Sequence, residues 1–314
     1  MVFVNRARVP SSARGETPLT QPPSDLPPAL AGVLMREGSV NTTWAWPYAL
    51  GTCFDLAQRG VIAIEETPRR SWLQGRDFVF RLEAAHSALR PHERGVIEML
   101  FREKSGLQSE SRLSKLQGNL YSRLKPFTEA LKSECESLSF FDAERQRRRS
   151  ALLVWGLLLM FLGLGLIIAA VMLISTLGAL PLFGSMGVAV SGIVLLIASA
   201  SLSPLTEDYQ QTAREWKSFA KYLGDVTRGR NTLVHRDQFE GYLPYATAFG
   251  MAELWARYLK KHENVEVPAW FRALAADDGG HSAFVAMMTA SGSASTSSAA
   301  GAGGAAGGGA SGAG

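Results

Sequence analysis

"ERQRRRSALLVWGLLLMFLGLGLIIAAVMLIS", residues 144–175, passes from four arginines in five positions to hydrocarbon without a transition. From Ser150 to Thr206 the chain holds no Asp, Glu, Lys, Arg or His. A helix rising about 1.5 Å per residue needs about 20 apolar residues to cross a hydrocarbon core ~30 Å thick. The charge-free stretch is too long for one span and suits two. Helix breakers gather at "STLGALPLFGSMG", where Gly178, Pro181 and Gly184 stand, and Pro181 cannot continue a helix without losing a hydrogen bond. The expected spans are therefore 151–175 and 183–203, both helical because lipid leaves no partner for a free backbone group.

The flanks set the expected orientation. Arg145, Arg147, Arg148 and Arg149 precede the first span, the turn between the spans carries no charge, and Arg214, Lys217, Lys221, Arg228 and Arg230 follow the second. Positive charge near membrane ends is retained on the cytoplasmic side. Both termini are expected in the cytoplasm of a multi-pass inner-membrane protein, with the four arginines where anionic headgroups attract them. The spans hold no ionisable residue, so a proton relay or ion path within them is not expected. Small residues Ser185, Gly187, Ala189 and Ser191 offer close helix packing.

Residues 1–25 read as a disordered linker without an export signal, rich in proline and small polar residues. Residues 26–104 read as a winged-helix-like α+β domain able to fold alone. "LPPALAGVLMREG" is a helix stopped by Gly38. "PYALGTCFDLAQRG" is a second, stopped by Gly60. "VIAIEE" and "DFVFRLE" alternate as strands do, joined by a wing carrying Arg69, Arg70 and Arg76. "RPHERGVIEMLF" is a further helix. Residues 105–149 read as a helical connector near the membrane surface, split at Pro126, with Leu113, Leu116, Leu120 and Leu124 on one face and Phe127, Leu131 and Leu138 on the next. Residues 150–206 are the transmembrane hairpin.

After it, 207–275 is a cytoplasmic helical segment. "TEDYQQTAREWKSFAKYLGDV" repeats Tyr209, Ala213, Trp216, Ala220 and Leu223 at steps of three and four. "FEGYLPYATAFGMAELWARYLKK" reads as one helix, with Pro244 near its start and Ala248, Met251, Trp255 and Leu259 on one stripe. Residues 276–314 are a low-complexity tail expected to be disordered, since 290–314 contain only Ala, Gly, Ser and Thr. The fold class is thus a mainly α membrane protein with one α+β cytoplasmic domain.

Chemistry is not apparent. His86, His92, His235, His262 and His281 form no metal-ligand spacing, and the sequence has no CxxC, P-loop or GxSxG elbow. No catalytic, cofactor or metal residues, no small-molecule substrate and no enzyme activity are expected. Cys53 and Cys135 lie far apart and are expected as free thiols. The candidate recognition helix offers only Gln58 and Arg59 at its end, so specific nucleic-acid binding is not expected. The leading expectation is a non-enzymatic membrane-anchored scaffold that contacts the bilayer and a protein partner or a second copy. The alternative is a membrane-tethered winged-helix DNA-binding regulator.

The ordered set "DLAQRG", "PHERG" and "YLPYATAFG", with an apolar hairpin between the last two, resembles the bacterial predicted membrane proteins of the domain of unknown function 2207 family. That resemblance covers residues 26–314 and implies architecture without an activity. It also implies a secreted β-rich domain and an additional membrane helix ahead of this part, so the chain is expected to be a truncated or mis-started member.

Overall fold

The computed structural model describes residues 19–68, 76–83, 89–103, 106–118, 120–173, 178, 180–231, 238–262, 267–274 and 278–301. Most of the wing, the first 18 residues, the centre of the turn between the apolar helices and 302–314 lie outside them. The chain divides into two compact units, Ser139–Gln210 and the remainder, which joins Met1–Leu138 to Gln211–Gly314.

The discontinuous unit is built around one helix. α1 (Pro28–Met35) starts on Pro28 and ends at Gly38, whose φ of 80° a side chain would resist. α2 (Thr42–Gln58) is capped by Asn41, whose side chain accepts from the Trp44 N–H at 3.2 Å. Ala45, Trp46, Tyr48, Leu50, Cys53, Phe54, Leu56 and Ala57 are all buried, and the stretch 45–54 of α2 is covered on every side. Such a stretch must be apolar nearly all round, and 45–54 is, with the Thr52 hydroxyl donating to the Tyr48 carbonyl at 2.9 Å. Gly60 then turns the chain at φ 70° into β1 (Ile62–Thr67), which pairs antiparallel with β2 (Asp77–Leu82) in the register Ile62↔Leu82 to Thr67↔Asp77.

Next come α3 (Pro91–Phe101), a small ladder of β3 (Arg102–Glu103) with β4 (Gly106–Leu107), β5 (Glu110–Arg112), α4 (Leu113–Gly118) and α5 (Leu120–Ser137). Beyond the apolar helices lie α8 (Glu207–Thr227), α9 (Gln238–Ala248), α10 (Ala252–Lys261), β6 (Phe271–Arg272) and α11 (Asp278–Gly301). The main sheet has the order β5-β2-β1-β6, with β6 parallel to β1. Its polar face carries a ladder of alternating charge. Arg81 contacts Glu110 at 2.7 Å and Glu65 at 3.4 Å, while Arg272 reaches Glu65 at 2.8 Å and Glu83 at 2.9 Å. The aromatic helices α8 and α9 meet as their periodicity predicts: Trp216 stacks on Tyr245 at 5.3 Å and Phe219 meets Tyr242 edge-on at 5.3 Å.

Four sequence expectations are corrected. First, the unit does not close at residue 104. β5 and β6, from outside 26–104, complete the sheet, and α9 lies so close on α2 that a Cβ at Gly51 would stand 2.6 Å from the Pro244 carbonyl oxygen. Second, the 105–149 segment is not a membrane-surface connector up to Ser137. α5 is core, with Leu120, Leu124, Phe127, Leu131 and Cys135 buried, and a Cβ at Gly95 of α3 would sit 2.8 Å from Phe127 Cα. Pro126 lies inside α5 rather than splitting it, burial on that face outweighing the missing hydrogen bond. Third, the stripe read as one helix after residue 238 is two, because Gly250 at φ 80° ends α9. Fourth, the tail expected to be disordered from 276 is helical to Gly301. Ala283, Phe284, Met287 and Met288 are buried at helical spacing, and the Trp46 indole N–H donates to the Ser291 carbonyl at 2.7 Å.

The other unit is an antiparallel helix pair, α6 (Ala143–Met172) and α7 (Leu180–Ser201). α6 begins eight residues ahead of the expected span, because Asp142 caps it, accepting from the N–H groups of Glu144 at 2.9 Å and Arg145 at 3.2 Å. The arginines are thus part of the helix itself. Gly156, Gly163 and Ala170 on α6, and Ser185, Gly192 and Ser199 on α7, are buried at steps of seven. A repeat of 3.5 residues per turn keeps one seam in register along a left-handed pair. At this seam a Cβ on Gly163 would lie 2.5 Å from Ala189 N, and one on Gly192 2.5 Å from Met160 N. Of the small residues expected to pack, Ser185 and Ala189 face the seam, whereas Gly187 and Ser191 are exposed.

Candidate functional site

Two places concentrate charge and geometry. At the foot of the helix pair, Arg145 contacts Asp142 at 3.3 Å and Glu207 at 2.7 Å, and Arg148 contacts Glu144 at 2.5 Å. Arg147 is exposed and Arg149 half-buried, and neither side chain has a partner among the described residues. The foot is stitched by backbone: the Asp142 N–H donates to the Pro204 carbonyl at 2.9 Å, the Thr206 N–H to Phe140 at 3.1 Å, and the Ser199 hydroxyl to Arg149 at 3.0 Å. Above it the pair turns Leu153, Val154, Trp155, Leu158, Phe161, Leu162 and Ile168 outward, along with Phe183, Met186, Val194 and Ile197. Both helices are long and apolar enough to cross a membrane, and almost none of either is buried within the protein. A water-soluble core helix would show the reverse.

The second place joins two of the sequence motifs. Asp55 and Arg59, from "DLAQRG", meet Glu93, from "PHERG": Arg59 bonds Glu93 at 2.6 Å and Asp55 at 3.1 Å. Across α3 the His92 ring Nδ1 lies 2.6 Å from Glu134 on α5, and the His92 backbone N–H donates to the same carboxylate at 3.1 Å. The Arg90 guanidinium adds a contact to Glu134 at 3.5 Å, and the Arg90 N–H donates to Glu93 at 2.8 Å. Glu93 and Glu134 therefore satisfy N–H groups at the start of α3, where a helix has free donors and positive potential. Burial pushes the Glu134 carboxyl up, but its hydrogen bonds and charge contact with His92 outweigh this and hold it below the usual range. Burial raises Asp55, against the opposing pull of Arg59.

His92, Glu93 and Glu134 are all buried, and the Nε2 of His92 has no partner among the described residues. These three side chains are shut from solvent while Arg59 and Arg90 stand at the edge, which suits a clasp joining α2, α3 and α5. Sequence reasoning missed it because His92 and Glu134 lie 42 residues apart. The two glutamates stand among many on charged helices, with no spacing signal to mark them. Cys53 and Cys135 are free and buried, and burial pushes the Cys135 thiol up to about 12 and Cys53 higher still. Among the described residues no three His, Cys, Asp or Glu side chains group as a metal site would require.

The family model described as predicted membrane protein (DUF2207) C-terminal domain matches residues 18–259, well over half of the chain. The chain belongs to this family, as the ordered motifs indicated. No curated protein and no solved structure matches it.

Proposed function

We propose that this chain is a two-span inner-membrane protein with both termini in the cytoplasm, whose discontinuous unit is a non-enzymatic interaction module. The observation that carries the reading is the helix pair: a charge-free, outward-facing apolar surface standing on a foot of arginines. Basic residues at membrane ends stay on the cytoplasmic side, and those after Thr206 add to the same bias. The interaction role rests on two features. The buried His92, Glu93 and Glu134 are committed to the clasp, and Leu107 and Leu274 stand 59% and 58% exposed on the unit's surface, where a partner would cover them.

The tethered DNA-binding regulator gains little support. The order α1, α2, β1, β2 agrees with a winged helix, but α2, which would enter a groove, is packed on all sides over 45–54, and Arg59 is spent on Asp55 and Glu93. A reporter active only in the periplasm tests the topology. It is expected to be silent when fused after Gly314 and active when inserted at Gly178, and the opposite pattern overturns the orientation. Photo-crosslinkers at Leu107 and Leu274 are expected to trap another protein or a second copy in cells; no crosslink at either position removes the interaction role.

A further inference from the structure

The four arginines at the foot of α6 are of two kinds. Arg145 and Arg148 are paired with Asp142, Glu207 and Glu144, while Arg147 and Arg149 have no ion pair among the described residues. Asp208 is the remaining acid of this unit, beside Glu207 in the first turn of α8, and among the described residues it forms no ion pair with Arg147 or Arg149. The position of each guanidinium is fixed because α6 is continuous from Ala143 through the apolar segment. At about 3.6 residues per turn, Arg147 and Arg149 point about 200° apart, to opposite sides of the helix. Arg149 is the last charged residue before the hydrocarbon, and Glu144 is rooted five residues earlier, about 7.5 Å down the axis at ~1.5 Å per residue. The sequence thus places its neutralising acids on the far side of the arginines and leaves two cations at headgroup depth.

We propose that Arg147 and Arg149 each seat the phosphate of an anionic phospholipid, on opposite sides of α6, and that Arg145 and Arg148 are withheld from this role by their own carboxylates. A guanidinium matches a phosphate through paired N–H donors, and a headgroup arriving from the leaflet needs no pocket, only a cation held at its own level. The assignment rests on the bilayer reading of the helix pair and goes beyond it by sorting the arginines into two binders and two bystanders.

The full chain is reconstituted into vesicles of phosphatidylcholine and phosphatidylglycerol in equal parts. Spin-labelled lipids of each kind then report how much of each is immobilised at the protein. The wild-type chain is expected to prefer phosphatidylglycerol, and R147Q/R149Q to lose that preference by up to about five-fold for each arginine removed. E144Q, which releases Arg148, is expected to raise it. An unchanged preference in R147Q/R149Q overturns the proposal, and so does a preference in E144Q that stays level or falls. If the double variant does not reconstitute, the E144Q result decides alone. Failure of the bilayer reading looks different, because a wild-type chain that does not float with the vesicles immobilises neither lipid.

Discussion

Replacing Gly163 by alanine tests the seam of the helix pair most directly. An added Cβ would stand 2.5 Å from Ala189 N, 2.6 Å from its Cα and 2.7 Å from its Cβ. Carbon contacts are comfortable near 3.5–4.0 Å, so α6 and α7 must part by ~1 Å at this point. The obstructing atoms are mostly backbone and cannot swing aside. Such overpacking costs ~1–3 kcal/mol. Gly165 supplies the control two residues along the same helix, since a Cβ there meets nothing within 4 Å. Both changes carry the same gain in helix propensity, ~1 kcal/mol in water, so their difference isolates the packing. Dyes attached at S150C and L202C, near the foot, report separation of the helices as detergent micelles are titrated with a denaturing detergent. The native Cys53 and Cys135 are buried and their thiols are held protonated, so labelling of the folded protein leaves them alone. G163A is expected to separate earlier than G165A by ~1–3 kcal/mol. Equal behaviour of the two variants, within about 0.5 kcal/mol, would refute the close approach of the backbones at Gly163.

Two further outcomes concern the discontinuous unit. Trp255 is fully buried against Phe239 at 5.2 Å, so W255A is expected to cost ~3–5 kcal/mol in urea unfolding of the full chain in mild detergent, and a loss under about 0.5 kcal/mol would place it on a surface instead. E134Q leaves His92 without its carboxylate, which is expected to cost ~1–3 kcal/mol at neutral pH. Because the folded state holds the Glu134 carboxyl below its ordinary value, its contribution is complete above the unfolded pKa of about 4.3 and is lost as pH falls through the folded value. The stability gap between wild type and E134Q should therefore narrow below about pH 4.3. The raised Asp55 contributes in the opposite sense but equally to both proteins, and a gap independent of pH would show that Glu134 is not charged in the clasp.

Much of the architecture was legible because each signal was local. Gly38 and Gly60 end their helices at positive φ, the 207–227 periodicity predicts the face that meets α9, and the charge-free block marks the helix pair. What escaped was long-range. β5 and β6 are three and two residues long, too short to alternate, and they become strands only because β2 and β1 offer them free edges. The extent of α11 turns on Phe284, Met287 and Met288 finding a surface, which a low-complexity composition hides. The clasp was invisible for the same reason, since nothing near His92 announces Glu134. The split of the arginines required Glu207, 62 positions from Arg145, to be seen beside it.

The pairing of β6 with β1 brings Ile64 against Phe271, 207 positions later in the chain. At about 5–20 residues per second, a ribosome takes roughly 10–40 s to make that interval. Until it ends the β1 edge exists without β6 and α2 without α11, while both apolar helices are made and released. The anchor is therefore complete before the unit can be. An interrupted chain would carry a finished hairpin and an open sheet edge, a state that quality control can distinguish from the mature protein by its uncovered strand alone.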